Sequence, residues 1–207
     1  MSKTIQALET KEWFDLRAAT MDLAHAAGSR HRRIRDALMI MLMGDTGIRV
    51  GEMVQLRQVD VYMNEAPVHT LHIREEISKS KAGRMVPLNT SILWLLNAMR
   101  SSLRNRGCLR TTSFIFVTND SEKNITVRQV ERIVAKISYA AIGRTIHPHV
   151  LRHTFATRAM RVASTRVVQQ LLGHKSLTST QVYTHPNSTD LTDAIEKMDN
   201  EHEVPKK

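Results

Sequence analysis

The sequence predicts a mainly α fold with a small antiparallel β-sheet, an α+β arrangement. Three observations carry that expectation. Apolar residues recur at helical spacing along most of the chain, in runs opened by a capping residue or proline and closed by a polar or glycine-containing break. Two short β-rich runs flank a loop of lysine, serine and glycine, as a hairpin requires. No repeat, low-complexity segment or Pro/Gly/Ser linker divides the 207 residues, a length that suits one sizeable domain with or without a tail.

The elements follow in order. Thr10 is placed to cap a helix running to about residue 25, with Trp13, Leu16, Ala19 and Leu23 at helical spacing. A second, strongly apolar helix spans about 30–43, and Asp45-Thr46-Gly47 breaks it; a short helix over about 50–56 comes next. Residues 70–77 and 84–88 form the two strands, joined by the loop 78–83. Asn89 caps a helix bearing Ile92, Leu95, Leu96 and Met99, and 114–117 reads as a short buried strand. Thr126 opens a helix carrying Val130, Ile133, Val134 and Ile137. Pro148 suits the first turn of a helix reaching about residue 160. Ser164 caps another, which Gly173 ends after Leu171-Leu172. The last amphipathic stretch, about 191–198, places Leu191, Ala194, Ile195 and Met198 on one face ahead of a charged tail.

Composition narrows the class. Hydrophobic residues make up 42%, ordinary for a globular protein, and no apolar run approaches the roughly 18 residues of a membrane span. The first residues lack the apolar core and small-residue cleavage site of a signal peptide. The single cysteine, Cys108, excludes an internal disulfide and a multi-cysteine metal site. The expectation is a reduced, intracellular and cytoplasmic setting with no membrane contact. The net charge is +10, and it is concentrated: residues 100–185 hold 14 Lys and Arg against three Asp and Glu. Such a segment without a membrane signal points to a polyanion, nucleic acid above all, the other reading being a solvated basic face. Aromatics at 4% are too few for the stacking platforms typical of RNA binding.

Three segments carry chemistry. In Thr46-Gly47-Ile48-Arg49-Val50-Gly51-Glu52, a glycine breaks one helix and an arginine begins the next, with a carboxylate three residues on. Arg49 and Glu52 then share a helical face, and the guanidinium is placed to bind a phosphate bidentately; a plain surface ion pair is the alternative. In His147-Pro148-His149-Val150-Leu151-Arg152-His153, His149 and Arg152 lie three apart, which pairs a proton carrier with a second phosphate-binding group. The three histidines do not have zinc-protease spacing and no carboxylate is nearby, so this is not a metal site. In the segment 171–185 a helix ends at Gly173, His174 follows at once, and Tyr183 comes nine residues later.

TGxRxGE, PHxLRHTFAT and LLGHxSLxxTxxYTH, in this order, resemble the signature boxes of the tyrosine recombinases, the phage integrase family that includes Xer, Cre and lambda-type integrases. The resemblance covers about residues 10–198 and implies the catalytic-domain fold of that family. It implies that Arg49 and Arg152 are the catalytic arginines, His149 and His174 the catalytic histidines, Glu52 the buried supporting carboxylate, and Tyr183 the nucleophile. It also places a catalytic lysine in a β-hairpin seven residues before Val86-Pro87-Leu88, at Lys79, with Lys81 as the neighbouring alternative. His153, Thr154 and Phe155 match residues that pack or orient.

The chemistry needs these types. Cleavage of a phosphodiester spreads extra negative charge over the non-bridging oxygens, which Arg49 and Arg152 can grip with His174 as a further donor. A tyrosine with a pKa of about 10 needs a base, for which His149 is the candidate. Lys79 can protonate the departing 5′-oxygen. The resemblance implies a 3′-phosphotyrosyl intermediate, a free 5′-hydroxyl and reversible transesterification that needs no metal or nucleotide cofactor.

Forty-eight residues precede Arg49, about what the catalytic fold itself consumes. The expected organisation is therefore a catalytic domain over 1–190 and a C-terminal helix and charged tail over 191–207, without the N-terminal core-binding domain that clamps DNA in many relatives. The partners implied are double-stranded DNA, three further copies of the chain in a tetramer on synapsed sites with a monomer in solution, and an accessory DNA-binding protein. In the family, the helix after the nucleophile docks on a neighbouring protomer. Two other functions compete with strand transfer for integration, excision, inversion or resolution: a DNA-binding regulator that keeps the fold without recombining, and a type IB topoisomerase. The full set of catalytic-type residues disfavours the regulator, and the His149/His174 pair with the third box disfavours the topoisomerase.

Overall fold

The computed structural model describes residues 6–26, 30–78, 83–118, 123–173 and 188–200. Their elements are α1 (Thr10–His25), α2 (Arg30–Thr46), α3 (Val50–Met53), α4 (Gln58–Val61), β1 (Tyr62–Met63), β2 (Ala66–Pro67), β3 (Thr70–Ile73), β4 (Arg84–Pro87), α5 (Thr90–Asn105), α6 (Val127–Ile142), α7 (Pro148–Val162), α8 (Thr165–Leu172) and α9 (Ser188–Asp199). Two two-stranded antiparallel sheets, β1-β2 and β3-β4, complete a mainly helical molecule. None of the described helices is long and apolar enough to cross a membrane.

α2 is the centre of the core. Every residue from 37 to 46 is buried, because α1, α5 and α7 pack around this helix. A helix apolar on all sides has to be enclosed in this way. Gly44 lets α1 come close: a β-carbon there would lie 2.0 Å from the Trp13 ring. The helix also runs three residues further than expected. Asp45 and Thr46 read as breakers, yet Thr46 Oγ1 donates to the Leu42 carbonyl at 2.6 Å and Asp45 accepts from Asn89 Nδ2 at 3.0 Å. Arg158 at 3.4 Å and Arg17 at 3.6 Å complete its buried surroundings. Only Gly47, in the left-handed region at φ 65°, ends the helix.

Other elements differ from expectation in their bounds, their caps or their type. The cap of α1 is Glu9, whose backbone N–H donates to Glu12 Oε2 at 2.9 Å, rather than Thr10. The helix expected over 50–56 is the single turn α3, followed by α4, which the sequence did not predict. The strand expected over 70–77 stops at Ile73, and a turn follows in which Ser78 N–H reaches the Arg74 carbonyl at 3.1 Å. Residues 114–117 are not a strand; they make only isolated bridges, Arg57 to Phe114 and Val117 to Asn124, although Ile115 and Phe116 are fully buried. The capping residues Asn89, Thr126 and Ser164 all accept the backbone N–H expected of them.

In the single chain α9 lies on α7, α8 and β4. Its stripe of Leu191, Ala194, Ile195 and Met198 is buried there. Arg158 Nη2 donates to the Met198 carbonyl at 2.8 Å, and Asn89 Nδ2 to Asp199 Oδ1 at 3.2 Å, with Arg17 also paired to Asp199. The C-terminal end of α9 is thereby tied to the residues that enclose Asp45.

Candidate active site

The turn between α2 and α3 builds the first part of the site. Gly47 has no room for a side chain, since a β-carbon would lie 2.4 Å from the Phe155 ring and 2.9 Å from Leu172. That close fit brings α7 and α8 against the turn, and Arg49 follows as the N-cap of α3. Glu52, one turn on, is buried with 1% of its side chain exposed. Its Oε1 accepts from Arg49 Nη1 at 3.0 Å and from Arg84 Nη1 at 3.1 Å. Its Oε2 accepts from the Arg49 backbone N–H at 3.0 Å and from Arg84 Nη2 at 2.7 Å. The expected ion pair therefore exists, and it is a buried orienting contact rather than a surface one.

Arg152 enters from the first turns of α7. Its guanidinium donates to the Gly47 carbonyl through Nη1 and to the Leu172 carbonyl through Nη2, the latter at 2.8 Å. The middle box is thus fastened to the turn that holds Arg49 and to the C-terminal end of α8, where carbonyl dipoles favour a cation. His149 lies on the first turn of α7 with its side chain exposed, one turn before Arg152. Thr154 and Phe155 are fully buried, as packing residues should be, whereas His153 is exposed. Lys79, Lys81, His174 and Tyr183 lie outside the described residues.

The electrostatics favour an anion. Arg49, Arg84 and Arg152 face one described carboxylate, Glu52. Burial and the charges of Arg49 and Arg84 push the Arg152 guanidinium down to about 10, with Glu52 opposing them. A phosphate placed among these groups would relieve that repulsion. Burial alone would raise the Glu52 carboxyl, but the hydrogen bonds and charge of Arg84 and the contacts from Arg49 outweigh it and leave it lowered.

A depressed carboxylate stabilises the fold above its unfolded pKa of about 4.3, and that contribution disappears as pH falls through the lower folded value. Glu52→Gln should therefore flatten the acid limb of stability against pH. At neutral pH it should lose roughly 3–5 kcal/mol, the usual cost of stripping one partner from a buried pair. Urea unfolding at several pH values measures both; an unchanged acid limb would mean that Glu52 is not the titrating group.

Arg84 is the site residue that sequence reasoning missed. One signal was available. In β4, Leu71–Val86 and Ile73–Arg84 are paired positions, so the period-two alternation puts Arg84 on the inward face with Val86 while Met85 is exposed. A charged residue at the start of a strand ordinarily faces solvent, so the alternation is the one local sign that this arginine points inward.

Residues 17–190 match the phage integrase family, and the chain belongs to that family. The fold is that of a tyrosine recombinase catalytic domain. The chain is 36% identical over 177 residues to a tyrosine recombinase XerC of Thermodesulfovibrio yellowstonii, a match covering 83% of this chain and 56% of that protein. It is 34% identical over 201 residues to a tyrosine recombinase XerC of Oceanobacillus iheyensis, covering 95% and 62%. Among solved structures it is similar to XerA recombinase, with 28% identity and a TM-score of 0.64 over 99% of this chain and 66% of that one. It is also similar to the XerH site-specific recombinase bound to palindromic difH substrate in a post-cleavage complex, with 25% identity and a TM-score of 0.66 over 98% and 54%. The chain spans between half and two thirds of the length of these relatives.

Proposed function

We propose that this chain cleaves and rejoins double-stranded DNA at specific sites by transesterification. The Tyr183 oxygen attacks the scissile phosphorus, the bond to the 5′-oxygen breaks, and the 3′-phosphate becomes esterified to the tyrosine. His149 accepts the phenolic proton and Lys79 donates one to the departing 5′-oxygen. Arg49, Arg152 and His174 bind the non-bridging oxygens as their charge grows. Attack by the 5′-hydroxyl of another strand reverses the step and seals the new junction. The bond energy is kept in the phosphotyrosine, so the reading requires neither metal nor nucleotide.

The observation that carries this reading is the convergence of Arg49 and Arg152 on one turn, the first oriented by a buried carboxylate and the second by two backbone carbonyls. Orientation fixed before the phosphate arrives is what electrostatic catalysis needs, because nothing has to reorganise during the reaction. The DNA-bound state of the XerH relative supports the choice of substrate. The test is a pool of nicked DNA fragments incubated with the chain, followed by recovery of covalent protein–DNA adducts. A mapped adduct on one sequence, with rejoining that needs two such sites, is the expected result. No adduct would favour the regulator, and indifference to site would favour a topoisomerase.

The proposed assembly is a monomer in solution and a tetramer on synapsed sites, with an accessory DNA-binding protein supplying affinity. In it each α9 leaves its own α7–α8–β4 seat for the same seat on a neighbour, an exchange that needs no new surface and closes a cyclic ring. Ile195→Asp puts a charge on the apolar stripe of α9 and should weaken its hold on that seat, and light scattering should then find single-site complexes without tetramers. Tetramers forming as in the unaltered chain would overturn the exchange.

A further inference from the structure

Arg84 stands between three parts of the site. Its side chain is 3% exposed, and its hydrogen bonds go to two kinds of anchor, a carboxylate and a backbone carbonyl. The two terminal nitrogens meet the Glu52 carboxylate fork to fork, at 3.1 and 2.7 Å, while Nε donates to the Leu171 carbonyl at 2.9 Å. Leu171 is in the last turn of α8, and Gly173 closes that helix in the left-handed region at φ 65°. A β-carbon on Gly173 would lie 3.0 Å from Arg84 Cδ and 3.1 Å from Nη1, so the glycine lies directly on the arginine. His174 is the next residue in the chain, and Arg84 itself begins the strand that follows the loop carrying Lys79.

We propose that Arg84 is a positioning residue for DNA cleavage: through Glu52 it fixes the Arg49 guanidinium, and through Leu171 it fixes the end of α8, setting these two parts of the phosphate site relative to each other. The inference rests on the transesterification reading above. Its physical basis is the cost of the arrangement. Desolvating an arginine and a glutamate is expensive, and a well-packed apolar pair of similar volume holds a fold as well or better. What an apolar pair lacks is direction. The planar fork fixes the carboxylate in one orientation, and Glu52 then fixes Arg49. Lysine in the same place has one nitrogen and cannot reach Glu52 in bidentate fashion and Leu171 together.

The experiment uses the full chain and a nicked duplex built on the fragment that the unaltered chain traps covalently. Cleavage rates at saturating DNA, the half-saturating DNA concentration and the thermal midpoint are measured for R84M, R84K and E52Q/R84M. Loss of positioning should slow the saturated rate by about 100-fold in R84M, the scale expected for a misplacement near 1 Å, with half-saturation changed less than about 3-fold. R84K should fall between R84M and the unaltered chain. R84M leaves the buried Glu52 carboxylate with Arg49 as its one remaining guanidinium partner; E52Q/R84M removes that under-compensated charge, so its thermal midpoint should recover above that of R84M while its rate stays low. Recovery of both stability and rate in the double variant would reduce Arg84 to a structural role and overturn the inference. The same holds if folded R84M cleaves within about 3-fold of the unaltered chain. If R84M does not fold, R84K and the double variant decide the question. Absence of any adduct with the unaltered chain would instead count against the transesterification reading itself.

Discussion

Tyr183→Phe is expected to abolish the covalent protein–DNA adduct while leaving fold and DNA binding in place. The substitution removes one oxygen, and that oxygen is the atom that would become esterified to the phosphate. No base or arginine can compensate for a missing nucleophile, so the expected loss is complete rather than graded. The chain has two other tyrosines that could be suspected. Tyr62 is a poor substitute: its hydroxyl donates to the Leu96 carbonyl at 2.9 Å, and burial drives its pKa upward despite the opposing charge of Arg100. A phenol held protonated in this way is further from the attacking form than an ordinary tyrosine. Tyr139 is 65% exposed on α6. Denaturing gels of the nicked-substrate reaction measure the outcome, with a gel-shift assay as the binding control. An adduct of unchanged yield with Tyr183→Phe, mapped by peptide sequencing to Tyr62 or Tyr139, would move the nucleophile there.

The helices were legible because their signals are local. Asn89, Thr126, Ser164 and Gly173 each do at a helix end what their side chain, or lack of one, allows, and tertiary contacts merely agree. Two of the failures, the end of α2 and the missed Arg84, have one cause in common. Asp45 and Thr46 look like breakers because isolated polar residues seek water or turns. In the folded chain Arg17, Arg158 and Asn89, distant in sequence, surround Asp45, and α2 continues through it. Arg84 was missed for the same reason. Its partners are 32 and 87 residues away, so no local pattern announces a buried arginine. The motifs named Arg49, Glu52, His149 and Arg152, but not the Arg84 contact that links the first box to α8. Residues that touch the reacting atoms fall into short patterns because their types are dictated by chemistry. Those that hold them depend on the packing of elements, which spacing does not encode.

Lys79→Ala is the other substitution with a large expected effect, because it separates protonation of the leaving group from every other part of the reaction. An alkoxide leaving at neutral pH without a proton is a poor leaving group, and a positioned general acid contributes typically about 100- to 10,000-fold. Cleavage of an ordinary phosphodiester by Lys79→Ala should slow within that range. A 5′-bridging phosphorothiolate replaces the leaving oxygen with sulfur, whose thiolate departs without needing a proton. On that substrate the variant should cleave at nearly the rate of the unaltered chain. A lysine that only attracted DNA or held the β3–β4 hairpin in place would be missed equally on both substrates, so the ratio of the two rates isolates the proton transfer. Lys81→Ala provides the control within the same loop and should cleave both substrates normally. If sulfur rescues Lys81→Ala while Lys79→Ala is unaffected on either substrate, the general acid is Lys81, and the seven-residue spacing to Val86 has pointed to the wrong lysine.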